Sequence, residues 1–298
     1  MQKAMVGVNI GGWMVLEPWI TPSLFYRFLG KTHSDGVGID SWSFCGALGP
    51  ELGNKVMRSH WDHWLTEEHI RGLAERNVEI VRMPIGDWTF KPYGHYVGCM
   101  DGAADKITWA LDTFAKYDIK VMLDMHAVKG SWNGYDNSGY ANRTTWISET
   151  HFTHWDQAYG EWMGTWDPEN NRYFSIKQEN ILWAVDAIDK FIQAWGTHPA
   201  LYAIEAANEP WDKEIHVLKD YYRTVREHMK KTAPHLKFVF YAAGEFSGAN
   251  WNDLFPDDDI ENVILDKHNY NAWWDTQPTI TDYCDKAGDG WKDQMAIA

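Results

Sequence analysis

Basic residues, long apolar runs and cysteine are all scarce in this sequence. The 298 residues include 27 Lys and Arg against 42 Asp and Glu, which gives a formal net charge of −15. Without a dense basic run, such a chain repels the phosphate backbone, so nucleic acid is excluded as a partner. No apolar run approaches the roughly 20 residues that span a bilayer. The first ten residues, "MQKAMVGVNI", are interpreted as leading into a strand rather than as a signal peptide.

The three cysteines and 13 histidines do not form a metal-binding pattern. Cys45, Cys99 and Cys284 are odd in number and lack metal-ligand spacing, so one disulfide plus a free thiol is one arrangement, and a partner outside this chain is another. The histidines of "THFTHWDQ" at 150–157 have no distant further ligand. A P-loop and a dinucleotide fingerprint are also absent from the sequence. No metal and no cofactor are therefore predicted.

Aromatic residues, by contrast, are abundant. The chain has 19 Trp, 14 Tyr and 12 Phe, which is more tryptophan than a hydrophobic core requires. Flat rings stack well on the apolar faces of sugars and bases. Since the charge excludes nucleic acid, part of this aromatic set is expected to line a groove that binds sugar.

The apolar pattern predicts an α/β fold with a parallel sheet. Continuous apolar runs are typical of strands that are buried on both faces, and helical patterns at 61–77, 105–118, 179–196 and 217–233 separate several of them. The runs are "MVGVNI" (5–10), "VEIVRMPIG" (78–86), "IKVMLDMHA" (119–127), "LYAIEAANEP" (201–210), "FVFYAAGE" (238–245) and "NVILDKHNY" (262–270).

Polar side chains follow at least five of these runs, which favours a barrel over an open sheet. A barrel enzyme builds its site from several strand ends, whereas an open doubly wound sheet binds ligands mainly at one switch point. We expect a (β/α)8 TIM barrel as a single domain over 1–298, with about the first six βα units present and the last two missing at the C-terminus. The polar residues are Arg82, Asp124, His126, Asn208, Glu209, Glu245, His268 and Tyr270.

A long segment at about 131–178 interrupts the alternation of strands and helices. It is turn-rich and follows the third strand, so it is expected to arch over the edge of the barrel, where long loops tend to be functional. Its tryptophans are Trp132, Trp146, Trp155, Trp162 and Trp166.

Individual residues each allow a functional and a structural interpretation. Glu209 in "NEP" is a candidate general acid/base, although a carboxylate here could also belong to a capping turn. Arg82 lies within an apolar run, so it needs a carboxylate partner, either in a structural ion pair or in a site. His126 is a site residue or a satisfied core histidine. His268 and Tyr270 are two apart and share a strand face, as a functional pair or a core pair.

Five motifs resemble the fungal and oomycete exo-β-1,3-glucanases of glycoside hydrolase family 5. "GVNIGGWMVLEPWITPSLF" (7–25) is similar to their first strand and loop. "VRMPIG", "DMHAVKGSWNGYDNSG", "NEPW" and "HNY" follow in the family's order along nearly the whole chain. The resemblance is weakest at 141–178, where this sequence has extra residues.

The resemblance implies a retaining (β/α)8 glycosidase with Glu209 as acid/base and Asn208 contacting the sugar 2-hydroxyl. It also implies that the nonreducing-end sugar is surrounded by Arg82, His126, His268 and Tyr270. Glu17, Asp136 and Asn137 would bind that sugar's hydroxyls. Tyr135 and Trp273 would clamp the next glucose, where the fungal members typically have two phenylalanines. The family further implies a monomer that is extracellular or cell-wall associated.

The family places its nucleophile, a glutamate in a "GEW"-type motif, after the His-x-Tyr strand. "GEFSGANW" with Glu245 precedes "HNY" instead, so we do not assign Glu245 as the nucleophile and expect that residue beyond Ala298. The leading hypothesis is cleavage of β-1,3-glucan from the nonreducing end. The alternatives are a non-catalytic sugar-binding fragment and a β-glucosidase that acts on glucosylated lipid.

Overall fold

The computed structural model describes residues 4–142, 144–153, 159–211, 214–242, 251, 254, 255 and 257–268. Residues up to Leu265 belong to one compact unit, and a second unit begins at Asp266. Within the described residues, no helix is long and apolar enough to cross a membrane.

All six predicted strands are present and form one sheet. In chain order, the strands are β1 (Gly7–Asn9), β2 (Ile80–Gly86), β3 (Lys120–Ala127), the short strands β4 (Thr145–Trp146), β5 (Phe152–Thr153), β6 (Gly164–Asp167) and β7 (Arg172–Ile176), then β8 (Leu201–Glu205), β9 (Lys237–Tyr241) and β10 (Val263–Asp266). The large sheet has the order β1-β2-β3-β8-β9-β10. Its pairs from β1 to β9 are parallel, which confirms the predicted partial barrel sheet.

Six α-helices accompany the strands within the described part of the chain. They are α1 (Pro22–Phe25), α2 (Ser41–Trp64), α3 (Glu67–Ala74), α4 (Ala103–Lys116), α5 (Gln178–Trp195) and α6 (Ile215–Thr232). The predicted helix over 61–77 is wrong as a single element, because α2 ends at Trp64 and α3 begins anew after Thr66. The hydroxyl of Thr66 caps α3 by accepting a hydrogen bond from the His69 amide at 3.3 Å.

The register of the sheet brings polar side chains from three strands to one place. Asp124 on β3 is the direct partner of Glu205 on β8, and of Pro84 on β2. Since alternate residues of a strand share a face, Arg82 and Pro84 lie on one side of β2, as Asp124 and His126 do on β3. The C-terminal ends of β2, β3 and β8 therefore present their side chains together.

The aromatic segment that follows β3 contains two antiparallel hairpins, β4–β5 and β6–β7. Trp132, Trp162 and Trp166 of this segment are buried, so they do not belong to the part of the aromatic set that is expected to line a groove. Trp132 and Trp162 pack with ring centroids 4.5 Å apart, and Trp162 lies against Tyr221 of α6 at 4.9 Å. These rings belong to the main hydrophobic core. Trp155 lies outside the described residues.

One disulfide joins α2 to the loop that precedes α4. Cys45 and Cys99 are both buried and bonded across 54 residues of sequence, with their Cα atoms 5.8 Å apart. This resolves the pairing that the sequence left open. Cys284 lies outside the described residues.

Candidate active site

Arg82 is the centre of the polar cluster at these strand ends. Its Nε donates to Glu205 Oε2 at 2.8 Å, and its Nη2 donates to Asn208 Oδ1 at 2.7 Å. Nη1 lies 2.9 Å from Asp124 Oδ2. The predicted carboxylate partner of Arg82 is therefore real, and there are two of them. Both carboxylates are fully buried, whereas the arginine side chain is 14% exposed.

His126 extends the same network toward the open side of the cluster. Its Nδ1 lies 2.6 Å from Asp124 Oδ2, a contact in which the ring nitrogen donates to the carboxylate. This fixes the ring and leaves Nε2 as the second polar atom. Nε2 is buried, has no hydrogen-bond partner among the described residues, and lies 3.9 Å from Glu17 Oε1. His126 is thus neither isolated nor a satisfied core residue.

The segment 128–141, which we call the β3 loop, faces Glu209 from the neighbouring strand end. Tyr135, Asp136 and Asn137 lie side by side on it, all half-buried. Asn137 Nδ2 donates to Glu209 Oε2 at 3.0 Å, across 72 residues of sequence. The main-chain amide of Trp211 donates to the carbonyl of Trp132 at 2.7 Å. The loop and the segment carrying Glu209 are therefore bonded to each other twice.

Glu17, on the loop after β1, is a further acidic group at this place. Burial raises the pKa of its carboxyl, and the nearby carboxylates of Asp136 and Glu209 raise it further, while His126 and a hydrogen bond from Trp19 act in the opposite direction. The Trp19 Nε1 donates to Glu17 Oε2 at 3.2 Å. A cluster of carboxylates with one imidazole is the electrostatic setting in which an acid can hold a proton near neutral pH.

The remaining predicted site residues fall elsewhere. His268 belongs to the second unit, where its Nε2 lies 3.2 Å from Asp266 Oδ2. Tyr270, Trp273 and Glu245 lie outside the described residues, so their proposed roles stay predictions.

Sequence reasoning missed Glu205 and Asn9. Glu205 forms a direct contact with Arg82, and Asn9 Oδ1 accepts a longer hydrogen bond from Arg82 Nη1 at 3.5 Å. The available signal for Glu205 was a lone carboxylate within the apolar run "LYAIEAA". A buried charge of this kind requires a partner. Arg82, which the sequence also places within an apolar run, is the opposite charge that could have been matched to it.

The architecture is that of glycoside hydrolases. The chain superimposes on a rutinosidase from Aspergillus niger with a TM-score of 0.70 and 19% identity, over 92% of this chain and 72% of that one. It also superimposes on a glycoside hydrolase family 5 enzyme from Prevotella bryantii B14 with a TM-score of 0.54 and 12% identity, over 95% of this chain and 70% of that one. At these identities the likeness establishes the fold alone.

Sequence similarity is more specific. A glucan 1,3-beta-glucosidase of Yarrowia lipolytica is 32% identical over 276 residues, which cover 90% of this chain and 57% of the relative. No model of a known protein family matches the chain. The chain is thus similar in sequence to the glucan 1,3-beta-glucosidases, and its fold is similar to that of a glycoside hydrolase family 5 enzyme. It spans 56–57% of the length of the curated relatives it matches over most of its sequence.

Proposed function

We propose that this chain carries the sugar-binding pocket and the acid/base of a retaining β-1,3-glucosidase that removes glucose from the nonreducing end of a glucan. The observation that carries the proposal is the contact of Glu209 with Asn137 beside the Arg82 network. It brings together, from three different elements, residues that the glucanase motifs predict to be neighbours. The relatives named glucan 1,3-beta-glucosidase supply the substrate class.

Glu209 suits the role of general acid. It follows β8 directly, is half-buried, and is fixed at one oxygen by Asn137. In the proposed role its carboxyl protonates the glycosidic oxygen as the bond breaks, and later accepts a proton from the attacking water. A positioned acid/base of this kind contributes about 10²–10⁴-fold to the rate.

Asn208 and Arg82 would act together on the sugar that is being cleaved. Since Asn208 Oδ1 accepts from Arg82, the orientation of the amide is set and Nδ2 is the group offered as a donor. In the proposed role this donor bonds the 2-hydroxyl. Arg82 does not need to touch the sugar. Two buried carboxylates hold its guanidinium in place, and the guanidinium orients Asn208.

Glu17, His126, Asp136 and Asn137 would bind the remaining hydroxyls, and Tyr135 would stack on the next glucose, with Trp273 as its proposed counterpart. Retention requires a second carboxylate about 5–5.5 Å from the acid. In the family order that nucleophile follows the strand with His268 and Tyr270, which is why Glu245 is not proposed for it. The reaction needs no cofactor. We propose an extracellular location for the protein, since the Cys45–Cys99 disulfide is the kind of bond that persists in oxidising compartments.

The proposal is tested with laminarin and the full-length protein. Proton NMR should detect β-glucose as the first product, and Glu209→Gln should lower its rate of release by about 10²–10⁴-fold. Glu214→Gln, a nearby carboxylate outside the pocket, serves as the matched control and should keep the full rate. Absence of glucose release by the wild type contradicts the proposed activity. Faster turnover of rutin than of laminarin contradicts the proposed substrate.

A further inference from the structure

Both ends of the β3 loop are held by buried carboxylates that lie outside the pocket. At its start, the amide of Lys129 donates to Asp87 Oδ2 at 2.8 Å. At its end, the amide of Ala141 donates to Asp40 Oδ2 at 2.7 Å. Asp87 and Asp40 are only 2% and 1% exposed. The two anchors therefore stand on either side of the residues that face Glu209.

Each anchor uses its second oxygen to bond its own neighbourhood. Asp87 follows β2, and its Oδ1 accepts from the Tyr93 hydroxyl at 3.0 Å. Asp40 is the N-cap of α2, and its Oδ1 accepts from the amide and the hydroxyl of Ser43, both at 2.7 Å. One oxygen of each carboxylate thus belongs to the rigid scaffold and the other to the loop.

The loop between these anchors contains left-handed backbone conformations. Ser131 has φ +66° and Gly139 has φ +82°, and a non-glycine residue in the left-handed region costs energy that the surroundings must supply. A Cβ on Gly139 would lie 2.9 Å from Ala127 Cβ. The carbonyl of Gly139 also accepts from the Trp42 amide and the Tyr96 hydroxyl, each at 3.0 Å. Contacts from outside the loop therefore add to the bonds within it, such as the one from the Trp132 amide to the Ser138 hydroxyl at 2.6 Å.

We propose that Asp40 and Asp87 are positioning residues, which fix the two ends of the β3 loop and thereby set Asp136 and Asn137 against Glu209. Neither carboxylate touches the substrate. The identity of the sugar in this inference rests on the proposed function, whereas the placement of the loop does not.

The electrostatics of the two anchors agree with this role. Main-chain amides and hydroxyls donate to both carboxylates, and the Trp183 side chain and the charge of Lys129 also favour the ionised form of Asp87. Burial raises the pKa of Asp87 to about 7 and that of Asp40 to about 6, against the lowering effect of those hydrogen bonds. A carboxylate that served stability alone would be better placed beside an arginine, as Asp259 is beside Arg226. The loop amides explain why an acceptor stands at each of these positions.

Hydrogen exchange tests the placement of the loop without any sugar. In Asp87→Ala the amide of Lys129 should exchange at least about tenfold faster, the size expected for loss of a hydrogen bond to a carboxylate. Asp87→Asn should exchange as slowly as the wild type, because its oxygen still accepts from Lys129 and its amide can donate to Tyr93. Asp40→Ser keeps a capping oxygen for α2 but is too short for Ala141, so only the Ala141 end should loosen.

Affinity for laminaritriose, measured by calorimetry, is the second readout. Asp87→Ala and Asp40→Ser should each weaken binding about tenfold or more, and Asp87→Asn should stay within about twofold of the wild type. Asp259→Asn is the matched control, since it also removes a buried carboxylate but should leave both loop exchange and affinity unchanged.

The outcomes separate the two proposals. Unchanged loop exchange in both Asp87→Ala and Asp40→Ser overturns the inference, as does a loosened loop with wild-type affinity. If the wild type does not bind laminaritriose while the exchange results hold, the loop anchors stand and the proposed substrate fails. The two anchors are independent variants, so failure of one to fold leaves the other as the test.

Discussion

Arg226 and Arg82 both bind buried carboxylates, but in two different ways. Arg226 on α6 forms a two-pronged pair with one carboxylate, Asp259, and is 2% exposed. The three guanidinium nitrogens of Arg82 contact three different residues, Glu205, Asn208 and Asp124. Its side chain is 14% exposed. A closed pair holds two elements together. An arginine that contacts several residues, such as Arg82, which we call the divided arginine, sets the positions of several side chains at once. A binding site requires this.

The carboxylates of the two regions differ in the same way. Hydrogen bonding to Arg226 lowers the pKa of Asp259, whereas burial raises the pKa of Asp87 to about 7. One region satisfies its buried acid with a cation. The other keeps a buried acid without such a pair and uses its oxygens to hold a loop.

Removal of the divided arginine should have the largest effect. Arg82→Met leaves Asp124 and Glu205 buried without their cation, which should cost about 3–5 kcal/mol of unfolding free energy. It should also weaken laminaritriose binding at least about 100-fold, because Asn208 loses its orientation. Urea denaturation and calorimetry measure the two effects. A folded Arg82→Met protein with wild-type affinity would show that the network has no part in binding.

Removal of the closed pair should affect stability alone. Arg226→Met should lower the free energy of unfolding by about 3 kcal/mol. Lys230, whose Nζ lies 3.3 Å from Asp259, should moderate this loss. Affinity for laminaritriose should stay within about twofold. The double variant Arg226→Met, Asp259→Leu should recover most of the lost stability, since an apolar pair of similar volume can replace a buried ion pair. Loss of binding in either variant would remove the distinction between the two arginines.

The pH dependence of stability should also separate the two acids. The folded pKa of Asp87 is raised, so the stability that its protonated form contributes is complete below its unfolded pKa, near 4, and is lost as pH rises through about 7. The free energy of unfolding of Asp87→Asn should therefore rise relative to the wild type by on the order of 4 kcal/mol between pH 4 and 8. Urea denaturation across this range measures the difference.

Asp259→Asn should show the opposite sign. Its folded pKa is lowered, so its contribution is present above its unfolded pKa and is lost only as pH falls through the folded value. The free energy of unfolding of Asp259→Asn should lie furthest below that of the wild type at neutral pH and closest to it in acid. Parallel pH profiles for the two variants would contradict the assigned environments.

The strands and their polar ends could be predicted from the sequence because continuous apolar runs are a direct signal of a buried parallel sheet. The partner of Arg82 was predictable in kind, since a charge in an apolar strand must be compensated. Its identity was not, because it depends on the register that sets Asp124 opposite Glu205.

Helix α2 was missed for a physical reason. Gly49, with φ +71°, and Pro50 interrupt its pattern, and the helix continues across them as a kinked pair of segments. Its last turns include His60, which is buried and hydrogen-bonded to the carbonyl of Gly12 at 2.8 Å. The burial of Trp132 and Trp162 was likewise invisible in composition, which counts rings without saying what covers them.

The Arg82 network also has a consequence for how the molecule forms. Its contacts with Glu205 and Asn208 join residues that are 123 and 126 positions apart in the chain. Contacts between such distant positions close large loops and form slowly. During synthesis, Arg82 and Asp124 emerge long before β8 and must wait for it. The binding pocket is therefore expected to be among the last parts of the molecule to form, and refolding followed by sugar binding should lag behind refolding followed by the recovery of helices.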